Sequence, residues 1–397
     1  MRKHATLKKP RLLFLSSRLP YPPIAGIRLK NYHLIRELFQ SFDLTILSLG
    51  TEPLSSEGRD YIEQYGKLSY WRKTRKDFMV SAAAAPFHFP APFQAGLYYF
   101  KDIGRTIRSL APEHDAIFCN LIRTTMYAEE LSLPKFCDMA DSISDHYASL
   151  LNGQHMSVMY PYYLIDQPLI RRYEQHIIRT FDQCFMFNSE EIDRYDDRSK
   201  LTWVPHGVNP DLLSERQADR SFENGLVFFG KMDYAPNVAA ARWFAERVMP
   251  ILPRELSFII IGANPSRAIR ALENDRIKVL GFVPDPYPTL RGALAVVAPM
   301  QFGGGVQNKI LEAMAVSGLC IATSAPVRAL RGVQDGRELL VADTPEEYAT
   351  IIQKVLLNPR DYLTVRQSAR KFIEQNHSWS RAGEIYKQSI LKGLGSN

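Results

Sequence analysis

The stretch "LAVVAPMQFGGGVQNKILEAMA", Leu294 to Ala315, joins three patterns that together indicate one type of fold. Its first six residues are apolar and read as a buried strand. Three consecutive glycines, Gly303 to Gly305, come after the strand, and a helical pattern with apolar Ile310, Leu311 and Met314 comes after the glycines. A strand that passes through a glycine turn into a helix is the building unit of a parallel α/β sheet.

The same alternation of short apolar strands and amphipathic helices runs through nearly the whole chain, which predicts an α/β fold. A turn-rich and poorly periodic stretch, Leu201 to Gly225, interrupts the alternation, which then restarts. We therefore predict two Rossmann-like doubly wound domains, residues 1–205 and 206–377, facing across a cleft. The final "NHSWSRAGEIYKQSILKGL" reads as a helix with no strand after it, and Lys67 to Phe100 reads as irregular.

Length and composition agree with this organisation. The chain has 397 residues, of which 46% are hydrophobic and 23% charged, as is typical of a soluble protein with two domains. No apolar run approaches the ~20 residues that span a bilayer, and no cleavage site follows the basic N-terminus, so neither an integral membrane protein nor a signal peptide is expected. The four cysteines stand singly in apolar contexts, which predicts buried free thiols in a reducing compartment.

Basic residues are concentrated in two places, and the formal net charge is +7. The first 36 residues hold nine Lys/Arg and no Asp/Glu, and a second cluster is "KLSYWRKTRK", Lys67 to Lys76. Both clusters fit either a solvated basic surface or attraction to anions, such as ligand phosphates or acidic lipid headgroups. The sequence contains no recognisable nucleic-acid-binding motif, so nucleic acid is not an expected partner.

In parallel α/β sheets, ligands bind beyond the carboxyl ends of the strands, so the residues after each strand are site candidates. In the first half, Gly26 precedes Arg28 and Lys30 at a helix start, which fits an anion site or an ordinary turn. Asp138 ends a strand and Asp141 opens the next helix. The carboxylate of Asp141 either caps that helix, or holds a sugar hydroxyl or takes a proton.

In the second half, the residues that follow three predicted strands are further candidates for binding a ligand. Gly230 and Lys231 follow "LVFF", and the ammonium of Lys231 is expected to hold a diphosphate, the alternative being an exposed lysine. Gly262 ends "SFIII" in a tight turn that forms a wall of the same site. Phe282 and Val283 follow "VLG" and form an apolar edge for a flat base.

The stretch from Leu294 to Ala315 supplies the remaining candidates. Its helix is predicted to begin near Val306 or Gln307, and the free N–H groups there, with the bare backbone of Gly303, Gly304 and Gly305, favour an anion. Lys309 and Glu312 share a helix face at i,i+3 spacing. We expect Lys309 to bind phosphate and Glu312 to bind the vicinal diol of a ribose; a surface salt bridge is the alternative.

Other phosphate and metal motifs are missing from the sequence. Lys309 comes four residues after the last glycine with no Ser/Thr behind it, so this is not a Walker loop, and the first βα turn lacks GxGxxG. No DxD pair and no His/Cys/Glu set with metal spacing occurs. We therefore expect no obligatory metal, and cationic side chains must neutralise any leaving diphosphate.

Several of these stretches resemble the retaining glycosyltransferases of family 4, which have the GT-B fold. In the second half the resemblance is carried by "FFGKMDYAPNVAAARWF", "IIIGANP", "LGFVPD", "GGGVQNKILEAMA" and "NPRDYLTVRQSARKFIEQNHSWS". In the first half, "SSRLPYPPIAGIRLKNYHLIREL" and "FCDMADSISDHY" are similar to a subgroup of bacterial sugar transferases of exopolysaccharide loci. The resemblance covers nearly the whole chain, apart from Lys67 to Phe100.

The resemblance implies a nucleotide-diphosphate sugar as donor substrate. Carried over residue by residue, it implies that Glu312 binds the ribose, that Lys231 and Lys309 contact the diphosphate, and that Gly26 lies in a glycine loop facing the phosphates. The fold further implies that the final helix, residues 378–397, packs back on the first domain.

The sequence departs from the family pattern at three places. Gly304 stands where the family carries the first of two glutamates, so backbone N–H groups of Gly304 and Gly305 are expected to replace a side-chain contact to the donor sugar. The family's usual "PNGVD" is "PHGVN" at Pro205 to Asn209. The histidine often found at the strand end of the first domain has no counterpart, and Asp141 lies nearest to its position.

The combined prediction is sugar transfer from a nucleotide donor to an acceptor hydroxyl with retention, without metal or further cofactor, in bacterial exopolysaccharide or glycan biosynthesis. The acceptor is expected to be a glycan or a lipid-linked glycan. The basic clusters predict a cytoplasmic location with peripheral contact to an anionic membrane. A nucleotide-sugar epimerase of the same architecture and an inactive glycan-binding scaffold stay open as alternatives.

Overall fold

The computed structural model describes residues 8–23, 26–84, 91–152, 159–214, 217–302 and 305–395. The chain divides into two compact units. The first comprises Met1–Pro205 together with Trp379–Asn397, and the second comprises His206–Ser378. Each unit contains one parallel sheet with helices on both of its faces, so the predicted pair of doubly wound α/β domains is confirmed. The predicted cleft between them stays a prediction.

The sheet of the first unit has the strand order β3-β2-β1-β4-β5-β6-β7, and all of its neighbouring strands pair in parallel. The chain leaves the middle of this sheet in one direction and returns to build the other half, so the strand order reverses between β1 and β4. The strands are β1 (Arg11–Ser16), β2 (Asp43–Gly50), β3 (Lys67–Arg72), β4 (Ala116–Asn120), β5 (Lys135–Ala140), β6 (Gln183–Met186) and β7 (Leu201–Trp203).

The helices of the first unit connect these strands or cover the sheet. They are α1 (Gly26–Phe39), α2 (Ser56–Glu63), α3 (Arg75–Ala84), α4 (Phe93–Leu97), α5 (Lys101–Leu110), α6 (Ile143–Asn152), α7 (Tyr160–Thr180), α8 (Ser189–Ile192) and α16 (Trp379–Leu394).

At two places in the first unit the structure differs from the sequence-based expectation. Residues 67–100 are not irregular throughout, because they contain β3, α3 and α4. Leu201 to Trp203, at the start of the turn-rich stretch between the domains, forms β7, which pairs with β6, although the chain does pass into the second unit within that stretch, after Pro205. β3 and β7 are the two edge strands of the sheet, so each of them has a neighbouring strand on one side only. Edge strands carry polar residues and are short, so the apolar signal that marks a central strand is weak in them.

The final helix, α16, packs against the first unit, as the resemblance implied. The indole ring of Trp379 stacks on the imidazole of His33, with ring centroids 5.1 Å apart. Tyr386 contacts the ring of Phe185 on β6 at 4.6 Å. Gly383 lies so close to α1 that an added Cβ would stand 2.4 Å from the Cβ of Glu37. The close approach of the two helices therefore depends on this glycine.

The sheet of the second unit has the order β10-β9-β8-β11-β12-β13, again with parallel pairs, and its order reverses between β8 and β11. The strands are β8 (Gly225–Phe229), β9 (Ser257–Ile261), β10 (Ile277–Gly281), β11 (Ala295–Ala298), β12 (Cys320–Ala322) and β13 (Leu340–Val341). The helices are α9 (Ala235–Trp243), α10 (Arg267–Arg270), α11 (Tyr287–Gly292), α12 (Asn308–Ala315), α13 (Ser324–Arg328), α14 (Pro345–Leu357) and α15 (Leu363–Asn376).

Both faces of the second sheet are buried. Along β8, Leu226 and Phe228 lie in one apolar cluster, whereas Val227 and Phe229 lie in the cluster on the opposite face. This explains the continuous apolar runs that the sequence shows, because a strand covered on both sides needs no polar face. The four cysteines are free and buried, as predicted. Among the helices that the structure describes, none is long and apolar enough to cross a membrane.

Candidate functional site

The strand ends of the second unit are packed backbone to backbone. Gly230 donates its N–H to Ile261 at 3.0 Å, and Gly262 donates to Gly281 at 2.7 Å. An added Cβ at Gly262 would lie 1.7 Å from the carbonyl oxygen of Gly230, so no larger residue fits there without moving the backbone. Gly230 has a φ of 145°, which also favours glycine. The predicted strand-end glycines therefore form a tight rim at the carboxyl edge of the sheet.

Lys309 lies at the point where the strand order of this sheet reverses. Its side chain is on α12, which follows β11, and its Nζ donates to Oδ1 of Asn237 at the start of α9, which follows β8. The same Nζ lies 3.3 Å from Sδ of Met300 and 5.0 Å from the ring centroid of Phe228. Ligands of doubly wound sheets bind at this reversal. The structure thus places a lysine, 8% exposed, where the fold offers a binding crevice.

Burial shifts the titration of both charged residues on α12. It lowers the pKa of Lys309 to about 7, with the nearby Glu312 opposing the shift. Burial likewise raises the pKa of Glu312 to about 7, while a hydrogen bond from the Tyr287 hydroxyl, 3.2 Å long, and the charge of Lys309 act against it. The two groups do not form an exposed salt bridge, since each has a different hydrogen-bond partner. Both can change protonation near neutral pH when a ligand enters.

Asn237 connects this lysine to the loop after β8. Its Nδ2 donates to the backbone carbonyl of Lys231 at 2.9 Å while its Oδ1 accepts from Lys309. The side chain of Lys231 takes another course: it is 66% exposed and its Nζ lies 3.3 Å from the carboxylate of Asp233. At this crevice, Lys309 therefore contributes its side-chain ammonium, whereas Lys231 contributes only its backbone carbonyl and has its side chain in solvent.

The turn before α12 is described only from Gly305 onward, and Gly303 and Gly304 lie outside the described residues. Gly305 has a φ of 75°, a conformation that favours glycine. Val306 packs at the margin of the apolar cluster on one face of the sheet. Gln307 is the residue before the helix, which begins at Asn308, one or two residues after the predicted start near Val306 or Gln307.

The apolar edge after β10 is split between an exposed and a packed residue. Phe282 is 72% exposed, and Val283 packs against the apolar cluster that also contains residues of α12. Gly281 between β10 and Phe282 has a φ of 70°, which turns the chain at the strand end. The exposed ring of Phe282, at the partly exposed end of an edge strand, is free to contact a flat ligand group.

In the first unit, the predicted glycine and the following cation have different environments. Gly26 is the first residue of α1, has a φ of 58°, and has no atom within 4 Å of where a Cβ would stand. Lys30 does not reach a surface anion site. It is buried and its Nζ lies 2.5 Å from the carboxylate of Asp138, which is also buried.

Asp138 is the centre of a polar network at the carboxyl edge of the first sheet. Its Oδ2 accepts from Asn120 at the end of β4, at 3.0 Å. Asn120 in turn accepts from Asn31, which also donates to the hydroxyl of Ser16 at the end of β1, at 2.9 Å. The network thus spans the reversal between β1 and β4. The sequence reading missed Asn31 and Asn120, because nothing in the local pattern shows that these side chains meet.

Asp141 follows β5 beside a second group of buried carboxylates. The pKa of Glu191 is raised to about 8, first by burial and then by the charge of Asp141. Glu191 accepts from the N–H of Ser142, and Glu174 accepts from the first two N–H groups of α6. The hydroxyl of Ser142 accepts from the N–H of Asp145 at 3.2 Å, so Ser142 supplies a cap to this helix, a role that was one of the two alternatives for Asp141.

The second unit matches a known protein family over most of its length. Residues 223–358 match the family model of the Glycosyl transferases group 1. The match confirms the resemblance to glycosyltransferases for this part of the chain. It contains β8 to β13 and both Lys309 and Glu312. No curated protein matches the chain.

Solved structures show the same fold over nearly the whole chain. HepE of Anabaena, crystallised with UDP, has a TM-score of 0.67 at 14% identity, covering 96% of this chain and 100% of its own. Sucrose-phosphate synthase of Thermosynechococcus elongatus has a TM-score of 0.70 at 12% identity, covering 98% and 100%. TarM of S. aureus has a TM-score of 0.63 at 10% identity, covering 97% and 99%. At these identities the likeness shows the fold, which is GT-B.

Proposed function

We propose that this protein is a glycosyltransferase that moves a sugar from a nucleotide-diphosphate donor to an acceptor hydroxyl. The observation that carries the proposal is the buried Lys309 at the strand reversal of a unit that matches group 1 glycosyltransferases. Because its hydrogen-bond partner is a neutral asparagine, no carboxylate bonded to Lys309 competes with a phosphate for this lysine. HepE, which shares the fold, is crystallised with UDP and with UDP-glucose, which supports a nucleotide sugar as the donor.

In the proposed reaction the bond between the sugar and the diphosphate breaks, and negative charge develops on the departing phosphate oxygen. Lys309 stabilises that charge, and the exposed side chain of Lys231 is proposed as a second cation that swings onto the diphosphate. The turn at Gly305 and Val306, directly before α12, is proposed to lie against the same diphosphate. Glu312 holds the ribose, Phe282 and Val283 the base, and the turns at Gly230 and Gly262 the diphosphate. Gly26 is assigned to the loop facing the phosphates.

We further propose that the sugar keeps its anomeric configuration. The departing phosphate oxygen accepts the proton of the acceptor hydroxyl on the face where the new bond forms, so no protein nucleophile takes part. Asp141, beside Glu191, is proposed to orient that hydroxyl. Neither a metal nor a further cofactor is required in this scheme, and among the described residues no group of potential ligands could hold a metal ion. That the reaction needs no metal and no cofactor stays a prediction.

The proposed setting is bacterial exopolysaccharide or glycan synthesis at the inner face of the cytoplasmic membrane. The second basic cluster leads into α3, where Met79 and Val80 are 72% and 71% exposed beside the exposed Arg75 and Lys76. Cations next to exposed apolar side chains suit an anionic membrane surface. Vesicles with anionic lipid should therefore co-sediment the protein, and ~0.5 M salt should release it. Vesicle binding that depends on neither anionic lipid nor salt would contradict the proposed contact with an anionic membrane.

The transfer is tested with the purified protein and a panel of nucleotide sugars, with and without EDTA. We expect slow donor hydrolysis for at least one sugar and transfer when an acceptor extract is added. Lys309→Met and Glu312→Gln should abolish both, whereas Lys354→Met, which removes an exposed lysine of α14, should change neither. Interconversion of the donor without acceptor would instead identify an epimerase. Tight nucleotide binding without turnover would identify a scaffold.

A further inference from the structure

A cavity of about 330 Å³ is lined by residues of the first unit, none of which is among the residues assigned to the donor. It opens beyond the carboxyl ends of β1 and β2 and is lined by Ser17, Tyr21, Arg28, Gly50 and Tyr70, among others. Its volume falls in the range of ~300–1,000 Å³ that is usual for small-molecule sites. It lies at the carboxyl ends of parallel strands, where ligands of such sheets bind, and its walls show what it could hold.

Tyr70 forms one wall and is held in place by its neighbours. Its hydroxyl donates to the carbonyl oxygen of Glu52 at 2.6 Å. Its ring lies over Gly50, where an added Cβ would stand 2.1 Å from the Tyr70 hydroxyl oxygen. The glycine at the end of β2 is therefore needed to let this tyrosine face the cavity.

Tyr21 forms another wall by a similar arrangement. It packs against the start of α2 at Gly58, where an added Cβ would lie 2.9 Å from Cδ1 of the Tyr21 ring. On its other side the ring contacts Tyr61 with centroids 5.0 Å apart. Two tyrosines are thus fixed around one small cavity. A tyrosine offers an apolar ring face and a polar tip, which suits a sugar ring with its C–H faces and hydroxyl groups.

The cavity also contains a buried hydroxyl that lacks a partner. Ser17, directly after β1, is 3% exposed, and its Oγ makes no hydrogen bond within the described part of the chain. Buried hydroxyl groups in folded proteins are almost always hydrogen-bonded, because leaving one unpaired costs about 1–3 kcal/mol. A ligand oxygen in the cavity would satisfy Ser17.

Positive charge exceeds negative charge around the cavity. Arg18 and Arg28 line it, and the carboxylate of Glu52 stands 3.6 Å from Arg28. Arg72, at the end of β3, donates to the carbonyl of Thr51 in the same wall at 3.4 Å, which adds a further cation. The hydroxyl of Tyr21 donates to the carboxylate of Glu57, which adds a second negative group. Three guanidinium groups against two carboxylates still leave an excess of positive charge that attracts an anion.

We propose that this cavity binds an anionic sugar as the acceptor of the transfer. Its ring lies between Tyr21 and Tyr70, its carboxylate or phosphate meets Arg28, and one oxygen pairs with Ser17. The assignment to the acceptor rests on the proposed function, since a transferase needs a second substrate besides its nucleotide donor. Binding of the sugar itself requires no turnover and can be measured alone.

The test is calorimetric titration of the full-length protein with glucuronate, glucose 1-phosphate and methyl glucoside. At least one anionic probe should bind at least about tenfold more tightly than the neutral one. Arg28→Gln should remove that difference. Ser17→Ala should weaken binding several-fold without lowering the melting temperature, because it deletes an unpaired group. Arg59→Gln is the matched control, since this arginine pairs with Glu63 on α2 outside the cavity and should change nothing.

The pattern of probes identifies the anion. Binding of glucuronate alone assigns a carboxylate, binding of the phosphate alone assigns a phosphate, and either supports the proposal. Equal binding of all three probes, no binding of any, or retained preference in Arg28→Gln would overturn it. UDP binding is measured in the same samples. If UDP binds and no sugar does, the acceptor proposal fails and the transferase proposal stands. If sugars bind and no nucleotide does, the cavity is a sugar site, and the transferase proposal fails together with the acceptor role.

Discussion

Lys309 donates its ammonium to the side-chain oxygen of Asn237, and this bond joins the helices that follow β11 and β8. These are the two strands between which the order of the second sheet reverses. The partner is neutral, so it orients the lysine without cancelling its charge. A carboxylate in the same place would hold the lysine more strongly but would compete with a phosphate for it. The arrangement thus leaves the lysine ready for an anionic ligand.

Lys309→Met is expected to weaken nucleotide binding and to stabilise the protein. A hydrogen bond to a charged group contributes about 1.5–3 kcal/mol, so UDP affinity should fall about 10- to 150-fold. Because burial lowers the pKa of Lys309 from 10.5 to about 7, the charge destabilises the folded state. The stability gained by methionine should be largest below pH 7 and should vanish as the pH rises toward 10.5. Calorimetry and urea unfolding across pH measure both effects, and Lys354→Met is the control.

Nucleotide binding should take up a proton at about pH 8, because most Lys309 side chains are neutral there and a diphosphate restores the charge. Titrations in buffers of different ionisation enthalpy count the proton, and the expected uptake approaches one per nucleotide. The uptake should disappear in Asn237→Asp, whose carboxylate keeps Lys309 protonated before the ligand arrives. The same uptake in Lys309→Met would show that another group takes the proton.

Glu312→Gln should reduce the preference for a nucleotide with both ribose hydroxyls. A carboxylate accepts two hydrogen bonds from a vicinal diol, whereas an amide offers only one accepting oxygen. The wild-type protein should therefore bind UDP at least about tenfold more tightly than 2′,3′-dideoxy-UDP, and Glu312→Gln should bind both almost equally. Tyr287→Phe, which removes the hydroxyl that donates to Glu312, should keep the preference. An unchanged preference in Glu312→Gln would remove Glu312 from the ribose contact.

Gly262→Ala should destabilise the second unit by about 3 kcal/mol or more, because its Cβ would stand 1.7 Å from the Gly230 carbonyl and only backbone movement relieves that contact. Gly281→Ala is the matched control at the neighbouring strand end. It has a φ of 70° but nothing within 4 Å of the added atom, so it should cost only about 1–2 kcal/mol. Urea unfolding, together with hydrogen exchange of peptides from β8 and β9, measures the loss of stability in each variant and compares Gly262→Ala with Gly281→Ala.

Removing either member of the Lys30–Asp138 pair should destabilise the first unit by about 3–5 kcal/mol, because it leaves the other charge buried without a partner. The double variant Lys30→Met with Asp138→Asn should cost much less than the sum of the two single changes. Hydrogen exchange of β4 and β5 peptides reports the first unit separately. Additive costs would show that the two side chains do not stabilise each other. Arg59→Gln, at an exposed ion pair, should cost less than about 1 kcal/mol.

Local patterns predicted the central strands of both sheets well. Strands such as β1, β4 and β8 are continuous apolar runs, because both of their faces are covered. The edge strands β3 and β7 escaped prediction, because a strand with a free edge needs less apolar sequence. Lys309 and Glu312 were found as a pair because helical spacing alone places them on one face.

Side-chain partners that are distant in sequence could not be predicted. Asn237 and Lys309 are 72 residues apart, and Asn120 and Asn31 are 89 apart. Nothing near either residue in the chain indicates the other. The same holds for Ser17 and Tyr70, which the end of β1 and the path of β3 bring to one cavity.

The sequence by itself determined the two α/β units, the break between them and the residue types at each strand end, because these depend on periodicity and on the backbone properties of glycine. Only the tertiary structure decided which of those residues act together. It buried Lys309 and Lys30 but left Lys231 in solvent, because burial depends on which strands become neighbours in the sheet. It therefore also decided which lysine has its pKa moved to neutrality, and with it where an anion is expected to bind.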